Sequence, residues 1–382
     1  MRAVVAIDSF KGSLSSIEAG ETVKKAILSL DGEAEVEVCP LADGGEGTVD
    51  ALYAGLGGTL VQINVAGPLG KSVSAKYCIL PDGVTAVIEM ASAAGITLIS
   101  RNELDPMKTT TFGVGEIIAD AVERGCRNFV VGIGGSATND GGAGMLSALG
   151  FEFLDADGNE ISRGAIGLSR LESIKKDKVL PGLRECRFRI ACDVDNPLCG
   201  DRGCSAVYGP QKGATDENIP LMDTWLNRYA EKTKEIFPLA DPEASGSGAA
   251  GGMGFAFMSY LGATLESGIK IVTEESGLEE KIKNADIVVT GEGRLDGQSV
   301  MGKAPIGVAK TAKKYGKRVI AFSGVVTDDA VLCNQHGVDA FFPILRKITT
   351  LDEALEVKNA EKNLFDTATQ VFRLIFLINK EK

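Results

Sequence analysis

The chain opens on an apolar run, Ala3–Ile7, that reads as a buried strand. The period then changes, because Ile17, Val23, Ala26, Ile27 and Leu30 recur at helical spacing within Ser15–Leu30. Ala34–Val38 predicts a second strand, and a helix begins over Thr48–Tyr53 behind the loop PLADGGEGT. This strand, loop, helix rhythm is that of a parallel α/β sheet, which collects ligands at the carboxyl ends of its strands. From about residue 59 the texture differs: Leu60–Val65, Ser74–Leu80 and Thr85–Met90 are short β-rich runs between Gly and Pro turns, the pattern of an antiparallel meander. Helix and strand signals then alternate, with a helix over Val114–Glu123, a strand over Phe129–Gly132, a helix over 141–149 and a strand over Phe188–Cys192. Asn218–Phe237 predicts a long amphipathic helix, and Gly248–Leu261 a small-residue helix behind a glycine-rich entry. The last third returns to the opening rhythm, with strands at Ile287–Thr290, Val319–Ser323 and Phe341–Pro343 and helices over 305–315 and 327–335. The expected fold class is α/β in two domains. Residues 1–60 and 285–382 would form one discontinuous, doubly wound parallel sheet of the Rossmann or flavodoxin-like kind, with 61–284 inserted as a second, mixed α/β domain.

Length agrees, since 382 residues exceed one typical core. Hydrophobic residues at 44% and charged residues at 24% are near the average for folded proteins, so neither disorder nor a membrane protein is indicated. The 47 glycines are an excess without a collagen period, which points to tight turns and close backbone approach to ligands. A net charge of −12 argues against a nucleic-acid partner but not against an anionic substrate, which a local group of Lys and Arg can hold. Eight scattered cysteines form no CxxC pair, so reduced thiols in a cytoplasm are favoured. The start, MRAVVAIDSFKGS, enters a strand at once with no signal-peptide core, and the apolar stretch Val371–Ile378 holds Arg373 and is too short to span a bilayer. No membrane partner is expected. The apolar tail helix, Leu364–Ile378, reads as packed core, with a homodimer contact as the alternative.

The candidate chemistry lies in the loops. ADIVVTGEGRLDGQSVMGK runs from a strand into a glycine-rich loop holding Glu292, Arg294, Asp296 and Lys303. Glycines admit backbone amides to a phosphate, cations offset its charge, and carboxylates can hold a metal or take a proton. Gly297–Lys303 fits the pattern GxxxxGK, but Ala304 stands where a magnesium-binding hydroxyl would follow, so an ordinary P-loop is not expected. The first strand ends in DSFKGS, placing Asp8, Ser9 and Lys11 at a sheet edge. LADGGEG sets Asp43 and Glu46 among three glycines, either for a metal or ligand or as a turn with a capping carboxylate. GIGGSATNDGGAG leaves a strand for a helix, so Gly134, Gly135 and Ser136 could meet an anion there, with Thr138, Asn139 and Asp140 adding side-chain donors and acceptors. It lacks the GxGxxG spacing of a dinucleotide site. ACDVDNPLCG places Asp193 and Asp195 two residues apart, to face one side of an extended segment and share a magnesium ion or supply a base, or else to sit in a turn led by Asn196 and Pro197. YGPQKG offers Lys212 as a further cation. The single histidine, His336, reads as a helix C-cap, so histidine triads and multi-histidine metal sites are set aside.

Taken together, DSFKGS, PLADGGEGT, GIGGSATNDGGAG, ACDVDNPLCG, YGPQKGA, GAAGGMG and TGEGRLDGQSVMGK resemble, in order, the class I bacterial glycerate kinases. The resemblance implies phosphorylation of glycerate by ATP with Mg²⁺, and two α/β domains with the active site in the cleft between them. Bacterial members of this class are generally 2-kinases, so 2-phosphoglycerate is the implied product. Such chemistry needs a base for the attacking hydroxyl and cations for the substrate carboxylate, together with a metal and amides for the triphosphate. Asp193 is assigned as base and Arg294 as the cation nearest the reacting phosphoryl group. Lys11 and Lys303 would steady phosphates or the substrate carboxylate. Asp296, Asp195 or Asp43 would hold the metal, and Gly134, Gly135 and Ser136 an anion. Asp8, Ser9, Thr138, Asn139, Lys212 and Glu292 complete the expected binding set. The competing readings are a kinase of another small hydroxy acid, a 3-phosphoglycerate product, and a non-catalytic anion sensor.

Overall fold

The computed structural model describes residues 1–301 and 303–380; Gly302, which closes the GxxxxGK pattern, lies outside the described residues. In chain order the strands are β1 (Arg2–Ile7), β2 (Glu35–Val38), β3 (Thr59–Ala66), β4 (Ser72–Ile79), β5 (Thr85–Glu89), β6 (Asn128–Gly132), β7 (Glu152–Leu154), β8 (Ser173–Lys175), β9 (Arg187–Ala191), β10 (Thr264–Glu266), β11 (Ile287–Leu295), β12 (Arg318–Val326) and β13 (Ala340–Pro343). They divide between two compact units. One comprises Met1–Asp43, Asp50–Leu56 and Ile269–Lys382, the other Gly44–Val49 and Gly57–Gly268.

The first unit is built on a five-stranded sheet in the order β13-β12-β11-β1-β2, every pair parallel. The inner strands β1, β11 and β12, covered on both faces, open as near-continuous apolar runs, whereas the edge strand β2, EVEV, alternates. Ala3, Val5, Ile7, Val289 and Phe322 face a core completed by Ala19, Val23, Ala26 and Ile27 of helix Ser16–Leu28 and by Ala360, Leu364, Ala368 and Phe372 of helix Val357–Lys380. Helix Ala304–Lys314 packs against β1, β11 and β12 as well, making the unit doubly wound. Ser15 starts the first helix with a capping box: its hydroxyl accepts from the Glu18 amide at 3.2 Å while Glu18 accepts from the Ser15 amide at 2.8 Å. Pro305 lies in the first turn of helix Ala304–Lys314, where its missing N–H costs nothing.

The second unit carries a six-stranded mixed sheet in the order β10-β9-β6-β5-β4-β3. β3, β4 and β5 are the antiparallel meander, and β5, β6, β9 and β10 continue in parallel. Helices Phe112–Glu123, Asn218–Ile236 and Ala249–Leu261 enclose one apolar core, in which Tyr229 and Tyr260 stack at 6.2 Å between centroids. β7 and β8 form a separate two-stranded antiparallel sheet.

The structure departs from sequence expectation at several elements. Gly291–Leu295, read as loop, continues strand β11. Residues 327–335 are a 3₁₀ turn, Asp328–Val331, that runs into a single helical turn, Leu332–Gln335. Helices Gly268–Glu275 and Leu278–Lys283 occupy a stretch given no element, because each is too short to show a full amphipathic period. Helix Ala249–Leu261 opens with Ala250, Gly251 and Gly252 in left-handed conformations. No helix among the described residues is long and apolar enough to cross a membrane.

The buried stripe of helix Val357–Lys380 generates a prediction. Phe372 is fully buried, whereas Leu377 on the same helix is 59% exposed. Phe372→Ala should cost about 3–5 kcal/mol in denaturant unfolding, and Leu377→Gln should change stability by about 0.5 kcal/mol or less.

Candidate active site

β1 ends opposite Gly291, while β11 runs on to Leu295. Ile7 pairs with Gly291, and the Asp8 amide donates to the Gly291 carbonyl at 2.9 Å, so Asp8 and Glu292 lie next to each other at the sheet edge. The approach is close because Gly293 has no side chain: a Cβ there would sit 3.3 Å from the Lys11 nitrogen and 3.4 Å from the Phe10 Cα. The Ser9 amide donates to Asp8 Oδ1 at 2.7 Å, and Lys11 Nζ donates to Asp43 Oδ2 at 3.0 Å. On the β11 side Arg294 Nε lies 3.1 Å from Asp296 Oδ2. Lys303 Nζ lies 3.8 Å from Glu292 Oε2 and 3.7 Å from Asp296 Oδ1. The first unit thus gathers Asp8, Ser9, Lys11, Asp43, Glu292, Arg294, Asp296 and Lys303. Sequence reading passed over Ser299, whose hydroxyl donates to Glu292 Oε1 at 2.6 Å and whose amide donates to Asp296 Oδ1 at 3.2 Å. Its signal was its place inside the same loop.

Carboxylate charge is in surplus here. Burial, followed by repulsion from Asp43, pushes the Asp8 carboxyl up to about 7, although the Ser9 amide and Lys11 oppose it. Burial also raises Glu292 despite the Ser299 hydrogen bond and Lys303. Lys11 is raised, chiefly by Asp43, and holds its charge firmly. Such a surplus suits a bound cation. Among the described residues no three His, Cys, Asp or Glu side chains are grouped to hold a metal unaided. Mg²⁺ needs no such cage when one or two carboxylates act with substrate phosphates, so the donor set fits that ion.

In the second unit Gly44–Val49 lies over the carboxyl ends of β6 and β9. A Cβ on Gly132 would be 2.3 Å from the Gly44 carbonyl oxygen, and one on Gly44 would be 2.3 Å from Ala191 Cβ. The Val49 amide donates to the buried Glu89 Oε1 at 2.7 Å, fixing the segment. Gly134 is partly exposed and Gly135 exposed, at φ +73°, beside this segment, whereas Ser136, Thr138, Asn139 and Asp140 are buried. Asp140 accepts from the Thr111 amide at 2.8 Å, the Thr111 hydroxyl at 2.9 Å, the Gly142 amide at 3.1 Å and the Gly144 amide at 3.3 Å. The first amides of helix Ala143–Ala148 are therefore satisfied from within, and a ligand at Gly134 and Gly135 would not use that helix terminus. The run Thr109–Thr111, all buried, was the unread sequence signal for this knot.

Lys212 is also placed differently from a surface cation. The residue is 2% exposed, and its ammonium donates to Ser136 Oγ and the Thr138 carbonyl, both at 2.7 Å. Burial brings its pKa down to about 8. Asn139 Nδ2 donates to Ser205 Oγ at 2.8 Å, while Thr138 Oγ1 and Asn139 Oδ1 are buried without a partner among the described residues. Asp193 and Asp195 lie past the end of β9 and are exposed. Asp195 Oδ2 pairs with Arg202 at 3.2 Å, and Asn196 is held by the Tyr208 hydroxyl at 2.6 Å and donates to the Arg202 carbonyl at 2.8 Å.

Known proteins are similar to this chain over most or all of their length. The family model described as "Glycerate kinase family" matches residues 3–376. A glycerate 2-kinase of Escherichia coli (strain K12) is 49% identical over 93% of each chain, and a glycerate kinase of Bacillus subtilis (strain 168) is 43% identical over 99% of this chain and 100% of its own. The crystal structure of a Salmonella typhimurium LT2 protein assigned as glycerate kinase 2 superposes with a TM-score of 0.90 at 45% identity, covering 100% of this chain and 99% of that one. The chain belongs to the glycerate kinase family. It is an enzyme, a phosphotransferase of that family.

The perturbed carboxyl of Asp8 sets a pH dependence. In the folded protein it stays protonated up to about 7, whereas in the unfolded chain it ionises near the ordinary value of about 3.9. Its contribution to stability is full below pH ~4 and is lost as pH rises through the folded value. Asp8→Asn, which retains an acceptor for the Ser9 amide, should therefore raise the unfolding midpoint at pH 8 and leave it nearly unchanged at pH 4.

Proposed function

We propose that the protein transfers the γ-phosphoryl group of ATP to the 2-hydroxyl of D-glycerate, with Mg²⁺, to give 2-phosphoglycerate and ADP. The supporting observation is the grouping of Lys11, Arg294 and Lys303 with Asp8, Asp43, Glu292 and Asp296 at the strand ends of a parallel sheet. Cations of this kind can hold the triphosphate and the glycerate carboxylate, and binding alone would not call for the accompanying acids. The E. coli relative's name, glycerate 2-kinase, supports the position of transfer.

Asp193 is the base: its exposed carboxylate takes the hydroxyl proton as the oxygen attacks phosphorus, and the bridging oxygen leaves on ADP with the bonding electron pair. Arg294 meets the charge on the transferring group, its guanidinium held in place by Asp296. Lys11 and Lys303 anchor phosphate or carboxylate oxygens, and the Ser299 hydroxyl orients Glu292 beside Lys303. Gly134, Gly135 and Ser9 offer backbone close to the nucleotide or substrate. Asp296, Asp43 and Asp195 are the carboxylates assigned to Mg²⁺, which when bound neutralises phosphate charge.

Incubation with ATP, Mg²⁺ and D-glycerate followed by enolase alone tests the product. Phosphoenolpyruvate is expected, because enolase dehydrates 2-phosphoglycerate and not its 3-isomer. ADP without phosphoenolpyruvate would reassign the product, and no ADP at all would reassign the substrate. A panel of small hydroxy acids would separate glycerate from related substrates. Arg294→Gln should lower kcat about 100-fold or more with KM for ATP changed only a few-fold, and Asp193→Asn should lower kcat about 100-fold to 10,000-fold. A pure KM effect would recast Arg294 as a ground-state anchor.

A further inference from the structure

The segment Gly246–Gly254 contains the motif GAAGGMG and is assigned no part in the chemistry above. It is wedged between two loops of the second unit. On one side Gly246 leaves room for the Val194 carbonyl and Cys192 Sγ, each 3.3 Å from where a Cβ would be. Gly248 likewise would place a Cβ 2.2 Å from the Pro197 carbonyl oxygen, and its amide donates to the Asn196 carbonyl at 2.9 Å. On the other side Gly251 would meet the Thr138 carbonyl at 2.0 Å and Asn139 Cα at 2.7 Å, and Gly252 would meet Gly141 Cα at 2.8 Å. The Gly141 amide donates to the Gly251 carbonyl at 2.9 Å. One short stretch of backbone therefore touches both the loop that carries Asp193 and the loop Thr138–Gly141.

Ala250 stands between the two sets of contacts. Its φ of +53° and ψ of +38° are left-handed, and among the described residues it is the one non-glycine at positive φ. Glycine would adopt this conformation without steric cost. Alanine instead packs its methyl against the core of the unit, which fixes the turn. Strain held beside a functional loop is a mark of enforced geometry.

We propose that the segment Gly246–Gly252, shaped by its turn at Ala250, is a positioning element for the phosphoryl transfer: Gly251 and Gly252 hold it to Thr138–Gly141, Gly246 and Gly248 hold it to Cys192–Pro197, and it so fixes the place of the Asp193 carboxylate. The inference rests on the reading of Asp193 as base. Misplacement of a catalytic group by about 1 Å can cost about 100-fold, so a loosened turn should register in turnover before it registers in binding.

The test is a double-mutant cycle in the full chain. Ala250→Gly keeps the backbone conformation allowed and removes the methyl, and thermal unfolding checks that the fold persists. Expected is a kcat about 10-fold lower with KM for glycerate and ATP within about twofold. In an Asp193→Asn background the same change should cost nothing further, because the group it positions is gone. Wild-type kcat in Ala250→Gly would overturn the proposal, as would an equal loss in both backgrounds. Failure of the base assignment is seen separately, as near-normal turnover of Asp193→Asn alone.

Discussion

The parallel pairing of β1 with β11 is the constraint on which the first unit depends. It joins segments 284 residues apart in sequence, as in the hydrogen bond from the Arg2 amide to Asp286. Neither partner forms a sheet alone, since parallel strands need a crossover and a cover on both faces. The register of that pair sets Ile7 opposite Gly291 and hence Asp8 beside Glu292. The charge surplus at the strand ends follows from it, as does the place of Lys11 and Lys303. A slip of one residue would turn the side chains of β1 to opposite faces and dismantle core and site together.

The two units treat charge in opposite ways. The first exposes its cations and buries carboxyl groups, so Asp8 and Glu292 are held above their ordinary pKa. The second buries a cation, Lys212, and a carboxylate, Asp140, each surrounded by hydrogen-bonding groups. Burying an ionisable group is tolerable when such bonds replace water. The first arrangement leaves charge available to a ligand, and the second uses it to hold loops. Glycines make both feasible, because the Gly293 and Gly251 contacts bring main chain against main chain where any side chain would intervene.

Much of this was legible in the sequence. The runs Ala3–Ile7 and Ile287–Thr290 announce buried parallel strands, since both sheet faces are covered and alternation disappears. The meander was equally plain, because Gly and Pro turns separate β3, β4 and β5. β7, β8 and β10, three residues each, carry no period long enough to read. Loop chemistry was visible as residue types, yet their burial was not. Lys212 and Ser136 look like ligand groups in the sequence, and only the packing of Thr138 and Asp140 shows them engaged with one another. Asp8 shows the converse: nothing local in DSFKGS signals a carboxyl near neutral pKa, because the effect comes from burial and from Asp43.

The distance in sequence between β1 and β11 also orders events during synthesis. At roughly 5–20 residues per second, β1 emerges about 15–60 s before its partner is made. Throughout that interval the strands of the second unit, all lying between β2 and β11, can find one another, while Ala3–Ile7 carries an apolar surface and unpaired backbone groups. The second unit is thus free to fold on the ribosome, and the first must wait until β11 is made. Slow translation or a stalled ribosome lengthens the wait of one sheet only, and β1 is the strand a chaperone would have to shield.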